Sequence, residues 1–135
     1  MAIWKGIALL AVPAIGLGAV PALGEKPALM MLDRLDRGSW ELREAGSSAA
    51  GRRICLDNGR ELIQLRHAQL SCRQVIINDQ PNEITVQYTC PGRGYGRTHV
   101  RRETDSLIQL DSQGIANGQP FAFTVEGRRV GGCAP

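Results

Sequence analysis

Four cysteines, Cys55, Cys72, Cys90 and Cys133, constrain what this chain can fold into more than any other feature. Two of them bracket the run CRQVIINDQPNEITVQYTC, which reads as a β-hairpin: two β-branched runs joined by an Asp79-Gln80-Pro81-Asn82 turn. No two cysteines stand at the Cys-x-x-Cys spacing that clamps a metal, so a zinc centre is set aside and two disulfides are expected. The hairpin leaves its register open. In one register Cys72 lies opposite Cys90; one residue away, Val75 faces Val86 and Ile77 faces Ile84, a cleaner apolar face that sends Cys72 to the other side of the sheet. A bulge would reconcile the two. The preferred pairing is Cys72–Cys90 with Cys55–Cys133, and the other two connectivities stay open.

Paired cysteines belong in an oxidising compartment, and the N-terminus supplies a route to one. Met1 to Lys5 carries one basic side chain, Gly6 to Val20 is uncharged, and small residues follow at Ala22 and Gly24. This is the three-part pattern of a secretory signal peptide over residues 1–24, cleaved after Ala22 or Gly24. A membrane anchor is the rival, but Pro13, Pro21 and the glycines make a poor spanning helix; the membrane is touched only through this segment if it is left uncleaved. No cysteine near the cleavage site suggests a lipid anchor. The chain then divides into residues 25–37, a short helix or linker, and residues 38–135, a disulfide-stapled β domain. With only two Phe, two Tyr and two Trp, one of them Trp4 in the signal, the core rests on Val, Ile and Leu. Covalent staples worth on the order of 3 kcal/mol each therefore matter.

Along the chain, Pro27 and Gly38 bound a helix over 25–37 that would lie as a lid on an open end of the sheet. Gly38–Glu44 alternates as a first strand, Ala45–Gly51 is a small-residue turn, and Arg52–Leu56 is a second strand. Asn58 and Glu61 match a capping box opening a helix over Gly59–Gln69, with His67 on it as a structural residue. After the hairpin, Pro91–Gly96 is a glycine-rich turn rather than a phosphate cradle, because a strand (Arg97–Glu103) follows it and not a helix. Leu107–Leu110 is a strand, Asp111–Gln119 a loop, Pro120–Val125 a strand, Glu126–Arg128 a turn or bulge, and Arg129–Cys133 the end of the domain. The fold class is mainly β: an antiparallel meander curled into a partial or closed barrel, with one inserted helix and a short N-terminal helix.

The chemistry is sparse. The formal charge is +3, from 16 Lys+Arg against 13 Asp+Glu, and all basic residues except Lys5 and Lys26 are arginine. There is no basic run for nucleic acid. The doublets Arg52-Arg53, Arg101-Arg102 and Arg128-Arg129 send their members to opposite faces of a strand, which weakens them as anion sites. His67 and His99 sit on different elements, no Gly-x-Ser-x-Gly elbow occurs, and oxidised cysteines offer no thiolate. No catalytic, cofactor-binding or metal-binding residue is assigned, and no cofactor is expected; a three-dimensional cluster of His99 with carboxylates would reopen the enzymatic reading.

The landmarks nevertheless come in a recognisable order: an export signal, Gly38-Ser39-Trp40-Glu41, Arg53-Ile54-Cys55-Leu56, Cys72, Tyr88-Thr89-Cys90, and a terminal Gly127-Arg128-Arg129-Val130-Gly131-Gly132-Cys133. Over residues 38–133 this resembles domain-of-unknown-function family 3617, small exported proteins of Gram-negative bacteria. The resemblance implies a periplasmic, β-rich protein and brings no activity with it. The function expected is a non-catalytic binding or interaction module whose partner is a small molecule or an envelope protein, with Trp40, Phe121 and Phe123 as the ligand-facing residues. The alternative is an inhibitor of an envelope-attacking enzyme such as lysozyme, acting through Pro91–Gly96.

Overall fold

The computed structural model describes residues 28–134; the expected signal peptide over residues 1–24 and residues 25–27 of the expected N-terminal helix lie outside that range. Seven strands form one antiparallel sheet: β1 (Gly38–Glu44), β2 (Arg52–Leu56), β3 (Arg73–Asp79), β4 (Glu83–Cys90), β5 (Gly94–Thr104), β6 (Leu107–Ala116) and β7 (Gln119–Gly131). Their spatial order is β2-β1-β7-β6-β5-β4-β3. Strands β3 to β7 are thus a plain meander. β1 returns to pair with β7, and residues 57–72 cross from the β2 edge to the β3 edge. The sheet stays open at those two edges, so the closed barrel is not formed.

One face carries the core. Trp40 and Leu42 from β1, Ile84, Val86 and Tyr88 from β4, Val100 from β5, Ile108 and Leu110 from β6 and Val125 from β7 are buried there. Alternation puts Glu41, Arg43, Gln87, Arg101 and Arg128 on the outer face. Two short segments cover the core face. The first holds a single helical turn, α1 (Met30–Asp33), and buries Leu29, Met31, Leu32 and Leu35. Its Leu29 N–H donates to Asp79 Oδ2 at the β3 edge (3.0 Å), while Asp33 meets Arg60, just past β2, at 2.6 Å. In a flat seven-stranded sheet those edges would stand roughly 29 Å apart; one turn of helix can touch both neighbourhoods only because the sheet curls. This segment is the expected lid, cut to one turn.

The second cover, residues 57–72, was expected to be a helix over Gly59–Gln69. It is two separate 3₁₀ turns, Arg60–Leu62 and Leu65–His67. The two side chains do turn back onto the backbone, but not as a capping box. Asn58 Oδ1 accepts from the Arg60 amide and Glu61 Oε1 from the Asp57 amide, each at 3.0 Å, and the N-cap of the first turn is Gly59, which has no side chain to cap with. Propagation fails because tertiary partners claim the groups that an α-helix would use. Thr98 Oγ1 donates to the Ile63 carbonyl at 2.5 Å, and the His67 amide bonds instead to the Gln64 carbonyl. A segment this short has little intrinsic helicity to resist that competition.

Three boundaries also move. β5 begins at Gly94, leaving only residues 91–93 as the turn. The stretch Asp111–Ala116 is not a loop but the second half of β6; its Gly114 sits where a Cβ would lie 2.1 Å from the Tyr95 carbonyl oxygen, so glycine marks a close strand crossing rather than a turn. The turn itself is Asn117-Gly118, both at positive φ, the two-residue hairpin signature. The turn or bulge expected at Glu126–Arg128 is likewise absent: those residues pair in register within β7. The bulge comes later, at Val130, which has no β1 partner where Ser39 and Trp40 face Gly131 and Arg129.

Both preferred disulfides are present, Cys72–Cys90 and Cys55–Cys133. The hairpin register lets Cys72 meet Cys90: Arg73 pairs Thr89 and Ile76 pairs Val86, after which a bulge shifts Asn78 onto Thr85. Val75 consequently faces Gln87 on the outer side and is exposed. Cys55–Cys133 ties the β2 edge to the chain end beyond β7.

Candidate functional site

With the N-terminal segment covering one end of the curled sheet, a cleft opens at the other. Its floor is Leu42 of β1 with Phe123 and Val125 of β7, and Leu65 overhangs it from the crossing segment. The β1–β2 loop forms one wall through Ser47, Ala49, Ala50 and Gly51; Glu44, Arg52 and Arg66 stand at the rim. The cavity measures about 330 Å³ and is open to solvent, at the small end of the range for ligand sites. Small residues give the wall its course. A side chain at Gly51 would lie 2.7 Å from the Leu42 carbonyl oxygen, so only glycine lets the loop return this tightly onto β1.

The arginines reach the cleft by different routes. Arg52 pairs Leu42 across β1–β2 and so shares the core face, whereas Arg53 pairs Glu41 on the outside. Splitting of the doublet is as strand geometry requires; one arginine per face remains enough for a site. Arg66 lays its guanidinium over Phe123 at 5.2 Å and over Phe121 at 5.8 Å from the ring centres, a cation–π arrangement that holds the charge at the cleft mouth. The two rings stack with centroids 6.0 Å apart.

Arg66 is steadied from below by its neighbour. His67 is buried, with Nδ1 3.0 Å from the Tyr88 hydroxyl and Nε2 3.0 Å from the Arg93 carbonyl oxygen. A carbonyl can only accept, so Nε2 carries the proton and, in the neutral ring, Nδ1 accepts from Tyr88. Burial pushes the Tyr88 phenol up to about 12, keeping it a donor. Tyr88 reaches this position across Gly96, where a Cβ would lie 2.4 Å from the hydroxyl oxygen. The chain Gly96, Tyr88, His67 therefore fixes the turn that presents Leu65 and Arg66. Beside it, Ser112 donates to Thr98 Oγ1 at 2.8 Å, since the Thr98 proton is already given to Ile63.

Of the residues expected to face a ligand, Phe123 lines the cleft and Phe121 stacks behind it under Arg66. Trp40 is fully buried elsewhere, its Nε1 donating to the Asp36 carbonyl at 2.9 Å. Leu42, Leu65 and Arg66 were not singled out from sequence, and Arg52 was set aside with its doublet. β1–β2 pairing joins Leu42 to Arg52, and only the tertiary crossing of residues 57–72 adds Leu65 and Arg66. Pro91–Gly96 divides into a tight turn over residues 91–93, whose Arg93 carbonyl accepts from His67, and the first three residues of β5.

His99 does meet carboxylates, on the outer face: Nε2 lies 3.3 Å from Glu83 Oε2 and Nδ1 3.7 Å from Asp111 Oδ2. Asp111 also accepts from Thr124 Oγ1 at 2.6 Å. Both ring nitrogens face acids, Nε2 within hydrogen-bond distance of Glu83 and Nδ1 beyond it from Asp111. Among the described residues no group of three or more His, Cys, Asp or Glu is placed to hold a metal ion, and no helix is long and apolar enough to cross a membrane. Two disulfides in so small a domain indicate an oxidising, extracytoplasmic environment. Compared with family models, curated proteins and solved structures, the chain matches none of them.

Proposed function

We propose that this protein is an exported, periplasmic, non-catalytic binding module that takes a small molecule in the cleft between the β1–β2 loop and the crossing segment. The observation that carries this reading is the cleft's composition: an apolar floor of Leu42, Leu65, Phe123 and Val125 beneath a polar rim. Ligand sites in general combine an apolar lining with a few polar groups that orient the guest. The export signal over residues 1–24 and membership of the exported family that the landmarks resemble belong to the same proposal and rest on those landmarks.

A neutral fluorescent probe, N-phenyl-1-naphthylamine, tests it. The probe should brighten on saturable binding to the purified oxidised protein. Ala50→Trp, which places an indole in the cleft from an exposed loop position, should abolish that binding while leaving the thermal melt intact. A protein that leaves the probe dark, or an A50W variant that binds it as before, overturns the reading.

A further inference from the structure

Resting on the cleft reading above, we infer that its ligand is a small organic carboxylate: an anionic head on a short hydrocarbon chain or a small ring system. Arg52 and Arg66 stand at the rim, and neither takes part in an ion pair among the described residues, whereas Arg43, Arg101 and Arg128 on the outer face do. The one acid on the rim is Glu44, so two cations face one anion. Arginine suits this task. Its planar fork matches a carboxylate through two parallel hydrogen bonds, and it is weakly hydrated, so little is lost when a ligand displaces its water. Arg66 is further prepared by the stacked Phe121 and Phe123 rings, which hold the guanidinium plane before a ligand arrives. The chemistry below the rim differs in kind. Leu42, Leu65, Phe123 and Val125 offer no polar side chain to a guest, so the part of the ligand that enters is hydrocarbon. The cavity's 330 Å³ limits that part to a short chain or a small ring system. Polar head outward and apolar body inward is the only orientation that satisfies both layers.

The test is competition against bound N-phenyl-1-naphthylamine by octanoate and by 1-octanol, which differ in the head group. Octanoate should displace the probe at about tenfold lower concentration or better, the scale of a charge-assisted hydrogen bond. Raising the salt concentration should erode that advantage. Arg66→Met and Arg52→Met, each keeping the length of the stem, should bring octanoate towards octanol, and the double variant should abolish the preference. Arg53→Met, on the opposite face of β2, should leave it intact. Equal displacement by the two competitors, or a preference that survives in the double methionine variant, overturns the carboxylate assignment while leaving the cleft reading standing. Failure of the probe to bind at all overturns both.

Discussion

At the scale of single residues, the most consequential contact is Tyr88 to His67. It satisfies two polar groups inside an apolar core and pins the turn bearing Arg66. Tyr88→Phe should lower stability by about 1–3 kcal/mol, because His67 Nδ1 is left buried without its donor; the urea midpoint reads this directly. The same residue sets an alkaline limit. Its phenol ionises at about 12 in the folded chain against 10.0 for an unperturbed tyrosine, so the unfolded chain gives up the proton first. The stability is intact below pH 10 and falls as pH rises from there to about 12. Melting temperatures measured across that window should drop more steeply in the wild type than in Tyr88→Phe. A single histidine on an apparently helical stretch reads from sequence as structural, and it is structural. What the sequence does not show is its partner, because Tyr88 lies on another element and Gly96 on a third.

At the scale of elements, the crossing segment is where local sequence and tertiary packing disagree. Asn58 and Glu61 mark where the segment turns and both bond nearby amides, yet the N-cap is Gly59 and only 3₁₀ turns follow. The competitor is identifiable as Thr98, whose hydroxyl takes the Ile63 carbonyl away from the helical ladder. Thr98→Val, nearly the same shape, should therefore cost about 1–3 kcal/mol, since it leaves that carbonyl and the Ser112 hydroxyl short of partners. Amide exchange confined to residues 60–68 should quicken before the rest of the chain responds. The β6–β7 region fails for a related reason. Ser112, Gly114 and Asn117-Gly118 look like loop composition, but only the last pair turns. Ser112 is spent on Thr98, and Gly114 on a strand that passes too close for a side chain.

At the scale of the whole molecule, two staples hold a sheet whose edges remain unpaired. Cys72–Cys90 closes a loop of 18 residues at the base of one hairpin; Cys55–Cys133 spans 78 and locks the β2 edge to the chain end. On the chain-entropy account, replacing both cysteines of the longer bridge by alanine should cost about 4.5 kcal/mol, against about 3 kcal/mol for the shorter. Urea unfolding of the two double variants under oxidising conditions checks both the order and the size. Strand content, the antiparallel pairing and the first two strand boundaries were legible from alternation and cysteine placement, because both act over a few residues. A bulge reconciling the hairpin's apolar pattern with its disulfide was open to sequence as an option, but the fold keeps the disulfide register. Its bulge just past Ile76 shifts the pairing the other way, leaving Val75, Ile76 and Ile77 exposed. What the amino-acid sequence determined by itself is a small, oxidised, antiparallel β protein, since alternation and covalent chemistry are local. The tertiary structure alone decided that the sheet stays open, that Trp40 is core, and that Arg52, Arg66 and Phe123 share one cleft, because those outcomes depend on how far the sheet curls and on where residues 57–72 cross it.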